Sequence, residues 1–184
     1  LDGQDVSGAL DFYGSDLGQR IVTLEIAARA AMLDPTIDAT SKEFAVEQAQ
    51  ADTPRYRLIN DFIVANDLIE ANVVGGLNSN FAFIDALVSG GATLPGVTAD
   101  SLLADVWAQE DAIRASTAEW ITAFLLLAYA PLEDAEIAEL TSFSQTPEGR
   151  IMTQAVFTAF DEIFVLVARD LGSAASGFII SQDL

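Results

Sequence analysis

Carboxylates and amides are the side chains of this chain that could do chemistry, because it contains neither histidine nor cysteine. Their absence excludes disulfides, thiol nucleophiles and zinc sites, and it removes the commonest general base near neutral pH. Acidic residues lie close together at 110–111 and 133–136, a grouping that suits calcium binding or carboxylate catalysis. No segment, however, has the acidic loop with a central glycine that binds calcium. We therefore predict no metal site, no catalytic residue and no cofactor.

The strongest candidate for a ligand site lies around two consecutive glycines, Gly75 and Gly76. They are expected to bend or break a helix, which would free backbone groups that nearby amides can satisfy. The same amides could instead line a polar pocket, because a helix break presents free N–H groups to small ligands. We expect Trp107 and Trp120 to form its walls. The asparagines of this group are Asn66, Asn72, Asn78 and Asn80, of which the last three are the candidate ligand-binding residues.

Two Glu–Arg pairs have the four-residue spacing of an intrahelical ion pair. They are Glu25 with Arg29 and Glu110 with Arg114. We interpret both as ion pairs within their own helices. Because Glu25 and Arg29 adjoin an apolar stripe, a buried charge clamp for a ligand is the alternative hypothesis for that pair.

The charge balance is strongly acidic, with 28 acidic side chains against 8 basic ones and a net charge of −20. The arginines are scattered and form no basic stripe. Binding to nucleic acid and to anionic lipid both depend on Lys and Arg, so nucleic acid is excluded as a partner. The acidity keeps an otherwise apolar chain in solution by self-repulsion. A salt-rich habitat is one explanation of this acidity that composition leaves open.

The longest strongly apolar segment is 120–132, which is shorter than the roughly 20 residues that a bilayer requires. We therefore predict a buried helix and no transmembrane segment. Because it is apolar nearly all round, this helix should lie between other helices or within an oligomer interface. The chain begins with Leu1 rather than Met, and we expect that a leader peptide has been removed.

Helical spacing and helix-capping residues recur along the chain, whereas the alternation typical of strands is nearly absent. We predict an all-α fold, an irregular bundle of about seven to nine helices without a sheet, in a single domain over residues 1–184. The main expected helices cover 16–33, 41–50, 54–74, 79–88, 133–143 and 147–171, with another at 6–13. After a turn at 95–96, a helix capped by Thr98 is expected to pass through Trp107 and Ile113, and either to continue or to break near 116–117 before the apolar helix that ends at Tyr129. The expected core face of the last long helix is Met152, Ala155, Ala159, Ile163 and Val167, and residues 172–184 are expected to be partly irregular.

One pattern, Phe-x-x-Ser/Thr-x-x-Gly, occurs twice, from Phe12 to Gly18 and from Phe143 to Gly149. Each copy lies where one predicted helix ends and the next begins. We expect the Phe to fill the corner, the hydroxyl to cap the second helix and the Gly to allow close packing. The two corners, at 9–33 and 140–165, indicate a degenerate internal repeat, and coincidence between two ordinary helix junctions is the alternative.

These corners also carry a resemblance to a known family. Tyr129, an acidic helix, Phe143 and the segment 146–150 (Thr-Pro-Glu-Gly-Arg) are similar to the signature of domain-of-unknown-function family 2059. The resemblance covers about 128–165 and, in part, 9–33. At the second corner Ser144 stands where the family has an aromatic Tyr. The middle, 53–120, resembles an alphaproteobacterial branch of such proteins, notably at 72–78 and 106–110.

The resemblance implies an exported helical protein of Gram-negative bacteria, located in the periplasm, and it brings no agreed activity, cofactor or catalytic residue. The interpretation we favour is a non-enzymatic periplasmic binding or envelope-associated protein, with a protein or an apolar small molecule as its partner. Two alternatives stay open. One is a carboxylate-dependent hydrolase with a cleft near the Gly75-Gly76 break. The other is a structural homodimer whose apolar helices pack across a twofold axis.

Overall fold

A computed structural model describes residues 3–91 and 99–182. Within these residues the chain forms nine helices and no strand, which confirms the predicted all-α fold. The expectations for a turn at 95–96 and for a cap at Thr98 lie outside the described residues. The helices are α1 (Ser7–Gly14), α2 (Asp16–Ala31), α3 (Pro35–Gln50), α4 (Pro54–Ala65), α5 (Leu68–Ser89), α6 (Ala99–Trp107), α7 (Glu110–Ala128), α8 (Asp134–Ser144) and α9 (Pro147–Gln182).

The chain forms two compact units. Unit 1 consists of Leu1–Ile69 and Ser116–Ala155, and unit 2 consists of Glu70–Ala115 and Val156–Leu184. The boundaries fall inside α5, α7 and α9, so each of these three helices contributes residues to both units.

Most helix starts lie where the capping residues predict them. The Ser15 side chain accepts a hydrogen bond from the backbone N–H of Gly18 at 3.1 Å, and Thr53 caps α4 by accepting from the N–H of Tyr56 at 3.2 Å. Pro54 occupies the first turn of α4, where its missing N–H costs nothing. Helix α3 is an exception. It begins at Pro35 rather than near 41, because the Asp34 side chain accepts from the N–H of Thr36 at 2.8 Å and caps it there.

The predicted helix break at Gly75-Gly76 is wrong, since α5 runs through both glycines from Leu68 to Ser89. Each glycine lowers helix propensity by about 1 kcal/mol, but Val73 and Leu77 beside them are buried, and this packing holds the helix together. The break lies earlier, at 66–67, where Asp67 has a φ of 52°. A left-handed residue ends a helix in this way, and Asp is among the residue types that tolerate that conformation. The prediction of one helix through Trp107 and Ile113 is wrong, because the chain is interrupted at 108–109 between α6 and α7. Helix α7 then continues through 116–117 without a break.

Within unit 1, the apolar run predicted to be buried forms the core. Tyr129 is fully buried, and its ring meets that of Phe62 edge to face at a centroid distance of 5.9 Å. Residues of α2, α3, α4 and α8, together with Met32, complete this cluster. The buried members from the run are Ile121, Ala123, Phe124, Leu125, Leu126, Ala128, Tyr129 and Leu132.

Within unit 2, α9 packs along α5 through very small residues. A side-chain Cβ at Gly172 would lie 2.2 Å from the carbonyl oxygen of Phe83, and one at Gly90 would lie 2.5 Å from the Ser176 hydroxyl. The two backbones therefore approach more closely than larger residues would permit. This contact explains why α9 continues to Gln182, whereas the sequence predicted partly irregular structure after 171.

Candidate functional site

The two repeated corners of unit 1 lie against each other. The rings of Phe12 and Phe143 are stacked, with centroids 4.0 Å apart and planes within 1° of parallel. Tyr13 approaches the Phe143 ring edge-on at 5.7 Å. Aromatic pairs of this kind contribute about 0.5–1.5 kcal/mol beyond their buried area. The corner phenylalanines therefore join α1 to the end of α8.

Both corners have the local geometry expected from their pattern. Thr146 accepts a hydrogen bond from the Gly149 N–H at 3.0 Å, as Ser15 does from Gly18, and each hydroxyl donates to the carbonyl of the corner Phe. A Cβ at Gly18 or Gly149 would lie 2.2 Å from that same carbonyl oxygen, so no other residue fits without backbone movement. The origin of the two corners by duplication stays a prediction.

A carboxyl group with an unusual environment lies beneath these corners. The Tyr129 hydroxyl donates a hydrogen bond of 2.5 Å to Oε1 of Glu25. Burial raises the pKa of Glu25, although the hydrogen bond from Tyr129 and the positive charge of Arg29 act in the opposite direction. Burial and the charge of Glu25 likewise raise the pKa of Tyr129 and of Tyr13. The carboxyl thus connects α2 to the end of α7.

The guanidinium of Arg29 lies against two aromatic rings. It lies 5.6 Å from the centre of the Trp120 ring and 5.1 Å from that of Phe124, and these two rings are stacked at 5.0 Å. Cation–π contacts of this kind contribute about 0.5–1 kcal/mol at exposed positions. The Arg29 charge still lowers the pKa of Glu25, as the predicted pairing implies. Trp120 therefore packs within unit 1, and its polar neighbour is an arginine.

This arrangement is suited to holding helices together. The groups that act on the Glu25 carboxyl are the Tyr129 hydroxyl and the charge of Arg29. A glycosidase-type hydrolase needs a second carboxyl at a set distance across an enclosed cleft. Among residues 3–91 and 99–182, no group of three or more acidic residues is placed to hold a metal ion.

The predicted ligand-site residues occupy different surroundings. Asn72, Asn78 and Asn80 lie on the unbroken α5, whose geometry directs them to different sides of the helix. Asn78 donates to Oδ1 of Asp161 at 3.1 Å. Trp107 ends α6 and is 62% exposed, and it belongs to unit 2 whereas Trp120 belongs to unit 1. Ligand binding by these residues stays a prediction.

Three polar residues with predicted roles, Asn66, Glu110 and Arg114, have clear structural contacts. Asn66 lies at the true helix break, where its side-chain amide donates to the Phe62 carbonyl at 2.9 Å and to the Ser144 hydroxyl at 3.0 Å. A side-chain amide therefore does bind a free backbone carbonyl at a helix break, but this break is at 66–67 and not at Gly75-Gly76. The predicted pair of Glu110 and Arg114 is confirmed at 3.0 Å, and Arg114 also binds Glu70 at 2.6 Å.

Helix α9 shows a surface that the sequence analysis assigned to the core. Ile163 and Val167 were expected to be buried, yet they are 54% and 51% exposed. They belong to a row of side chains on one side of the helix, each between 39% and 64% exposed, which we call the apolar stripe of α9. Its members are Val156, Phe160, Ile163, Phe164, Val167, Leu171 and Phe178.

The stripe lies opposite the face that packs on α5. At 100° per residue, its members fall within roughly a 100° sector, and Asp161, Gly172 and Ser176 fall on the other side of the helix. By length and composition alone, Pro147–Ser181 is also apolar enough to cross a membrane. The helical spacing in the sequence identified this apolar face. It could not show whether other residues of the chain cover the face.

Comparison with known proteins gives one match. The profile of a family described as uncharacterized protein conserved in bacteria (DUF2059) matches residues 1–46. The matched region contains α1, α2 and most of α3, and therefore the first corner together with Glu25 and Arg29. No curated protein and no solved structure matches the chain.

Proposed function

We propose that this protein is a non-enzymatic interaction protein that binds an apolar partner through the apolar stripe of α9. The observation that carries the proposal is the exposure of seven large apolar side chains on one side of a single helix. A continuous apolar patch larger than about 300–600 Å² is unusual on a soluble monomer and marks an interaction site. Unit 1, with its packed core, provides a folded body to which this helix is joined.

An interaction role agrees better with these contacts than the hydrolase alternative does. That alternative depended on a cleft at a helix break beside Gly75 and Gly76, and α5 has no break there. The Glu25 carboxyl is shielded from water, as a catalytic acid would need to be. The groups that act on it, however, are the Tyr129 hydroxyl and the positive charge of Arg29. The stripe needs only a complementary apolar surface, which a protein or an apolar small molecule can supply.

We further propose that the protein is exported and acts in the periplasm of a Gram-negative bacterium, within an alphaproteobacterial branch of the family. The support is the resemblance of its two corners to exported helical proteins and the family match over residues 1–46. Osmotic-shock fractionation of the native host tests this location. We expect the protein in the shock fluid, and its retention with the cytoplasmic fraction would contradict export.

Binding of Nile red, a neutral dye that fluoresces in apolar surroundings, tests the exposed stripe. The measurement uses the full chain at nanomolar concentration, so that any self-association is minimal. We expect enhanced fluorescence with the unaltered protein and a loss of at least half of that enhancement in Phe164→Asp and in Leu171→Asp. Leu10→Asp is the matched control, because Leu10 is 70% exposed on α1 and the substitution adds the same charge. Equal fluorescence from all four proteins would contradict the proposal.

A further inference from the structure

The apolar stripe contains a seven-residue repeat. From residue 157 to residue 181, large or small apolar side chains return at the first and fourth positions of each heptad. The first positions are Phe157, Phe164, Leu171 and Phe178, and the fourth positions are Phe160, Val167, Ala174 and Ser181. Only Ser181 is polar. The pattern therefore persists over more than three heptads.

Such a repeat selects a helix as the partner. A straight helix drifts by about 20° per heptad relative to a strict seven-residue repeat, so a repeat that is kept over several heptads follows a supercoiled seam. A facing helix receives the first and fourth residues as knobs in its holes. In this chain α5 packs on the opposite side of α9, through Gly172 and Ser176. Five of the eight repeat positions have large apolar side chains that are exposed and therefore open to a facing helix, namely Phe160, Phe164, Val167, Leu171 and Phe178.

We propose that the partner is a second copy of this chain, whose α9 packs antiparallel against the stripe. This inference rests on the proposed function, because it names the apolar partner. In an antiparallel pair, first positions meet fourth positions of the other helix. One register then places a Phe against a small residue in two of its four pairs and leaves one Phe–Phe pair, whereas a parallel pair would stack Phe on Phe at four positions. This antiparallel register pairs Phe157 with Ser181, Phe164 with Ala174, Val167 with Leu171 and Phe160 with Phe178 of the second copy.

The area of the stripe suits a dimer. With about 150–250 Å² for a whole large apolar residue, the exposed fractions correspond to roughly 650 Å² per copy. Pairing would bury roughly 1,300 Å² in total, which lies in the range of specific protein interfaces, about 1,200–2,000 Å². A parallel pair would bury a similar area but would place Phe against Phe and Ala against Ala.

The charges of α9 and of the whole chain disfavour a membrane as the occupant. Arg169 and Asp170 lie near the middle of the apolar segment, where each charge would cost about 2.5–3.5 kcal/mol in a bilayer. The net charge of −20 also opposes contact with anionic lipid. Two copies repel each other for the same reason, and salt screens this repulsion. The dimer should therefore strengthen as the salt concentration rises.

Sedimentation velocity of the full chain tests the proposal over 10 nM to 100 µM protein, at about 0.05 M and 0.5 M NaCl. We expect a monomer–dimer equilibrium with the tighter Kd at high salt. Phe164→Asp and Leu171→Asp should each weaken the dimer at least about 30-fold, the effect of losing a central interface residue. Leu10→Asp should leave the Kd within about threefold, since it adds the same charge outside the stripe.

Position 170 adds a test of the register. The antiparallel register brings Asp170 near Asp170 of the second copy, beside the twofold axis, because equivalent flanking positions face each other there. Asp170→Asn should therefore tighten the dimer about three- to tenfold, and this gain should shrink at high salt. A weaker or unchanged Kd in Asp170→Asn would overturn the antiparallel register.

The remaining outcomes separate this inference from the proposed function. A chain that stays monomeric at 100 µM and 0.5 M salt would overturn the dimer. If that monomer still bound Nile red through the stripe, the proposed apolar binding site would be retained, and only its occupation by a second copy would be excluded. If it instead floated with phosphatidylcholine vesicles, a membrane would be the occupant. A dimer that persisted in Phe164→Asp and Leu171→Asp would place the interface elsewhere, and a monomer that bound no dye would overturn both proposals.

Discussion

The two most apolar segments of the chain differ in what covers them. In α7 the run from 120 to 128 has its side chains inside unit 1, where Ala123, Leu125 and Leu126 are at most 3% exposed. In α9 an equally apolar stripe is exposed along its length. Both segments have helical spacing, and both would be assigned to a core from sequence. The difference teaches that periodicity identifies an apolar face, whereas the residues that cover it come from elsewhere in the chain or from another molecule.

The largest expected difference lies between matched phenylalanines of the two segments. Phe124 is 6% exposed and Phe164 is 55% exposed. Phe124→Ala should lower the free energy of unfolding by about 3–5 kcal/mol, because it removes contacts and leaves a cavity. Phe164→Ala should change it by less than about 1 kcal/mol. Urea unfolding at submicromolar protein, followed by circular dichroism, measures both. Similar losses in the two variants would show that the α9 stripe is covered within the single chain.

A second prediction distinguishes the packed face of α9 from its open side. A Cβ at Gly172 would meet the backbone of Phe83 at 2.2 Å, whereas no atom of the described part of the chain lies within 4 Å of one at Gly177. Gly172→Ala should therefore cost about 2–3 kcal/mol of unfolding free energy through overpacking. Gly177→Ala should instead raise stability by up to about 1 kcal/mol, because alanine favours a helix. Thermal unfolding compares the two, and a stabilising Gly172→Ala would contradict the close contact of α9 with α5.

The pH dependence of stability should differ between carboxyls of the two units. Because the pKa of Glu25 is raised in the folded state, its contribution is present below the ordinary Glu pKa of about 4.3 and is lost as the pH rises through the folded value. The hydrogen bonds from Arg114 lower the pKa of Glu70, so its contribution is present above about pH 4.3 and is lost as the pH falls through the folded value.

Substitution by glutamine isolates these two effects. The stability of the unaltered protein relative to Glu25→Gln should fall as the pH rises from about 4 to 7. Relative to Glu70→Gln, it should rise when the pH increases from below 4. Urea unfolding at a series of pH values gives both differences, and the same sign for the two variants would contradict the burial of Glu25.

The smallest expected effect concerns one hydroxyl on the packed face of α9. Ser176 is 1% exposed, and its Oγ has no hydrogen-bond partner among residues 3–91 and 99–182. Ser176→Ala should raise the unfolding free energy by about 1 kcal/mol, because a buried hydroxyl without a partner is costly. Ser173→Ala, at an exposed position of the same helix, should change it by a few tenths of a kcal/mol. A loss of stability in Ser176→Ala beyond that of the control would contradict the assignment.

Local features could be predicted from the sequence because they depend on neighbouring residues. The caps at Ser15 and Thr53 and the pair of Glu110 with Arg114 are set by residues a few positions apart. The corner geometry was likewise expected from its seven-residue pattern. The stacking of Phe12 on Phe143 was not, since it joins residues distant in the chain.

The wrong predictions share a physical cause. Gly75 and Gly76 lower helix propensity, but tertiary packing of α5 outweighs that local cost. The break at Asp67 has no glycine or proline to indicate it. The exposed side of α9 could not be predicted either, because Gly172 and Ser176, the small residues that decide its packed face, lie in the segment that was expected to be partly irregular.

Thiol labelling tests the central claim most directly, and the absence of native cysteine makes it clean. Single Phe124→Cys and Phe164→Cys variants would be compared by their rate of reaction with a maleimide under native conditions. We predict slow labelling at 124 at every protein concentration. At 164 we predict labelling near the rate of a free thiol at nanomolar protein and increasing protection toward 100 µM, as the second copy covers the stripe. Strong protection at 164 that is independent of protein concentration would contradict the account, because the stripe would then be covered within the single chain.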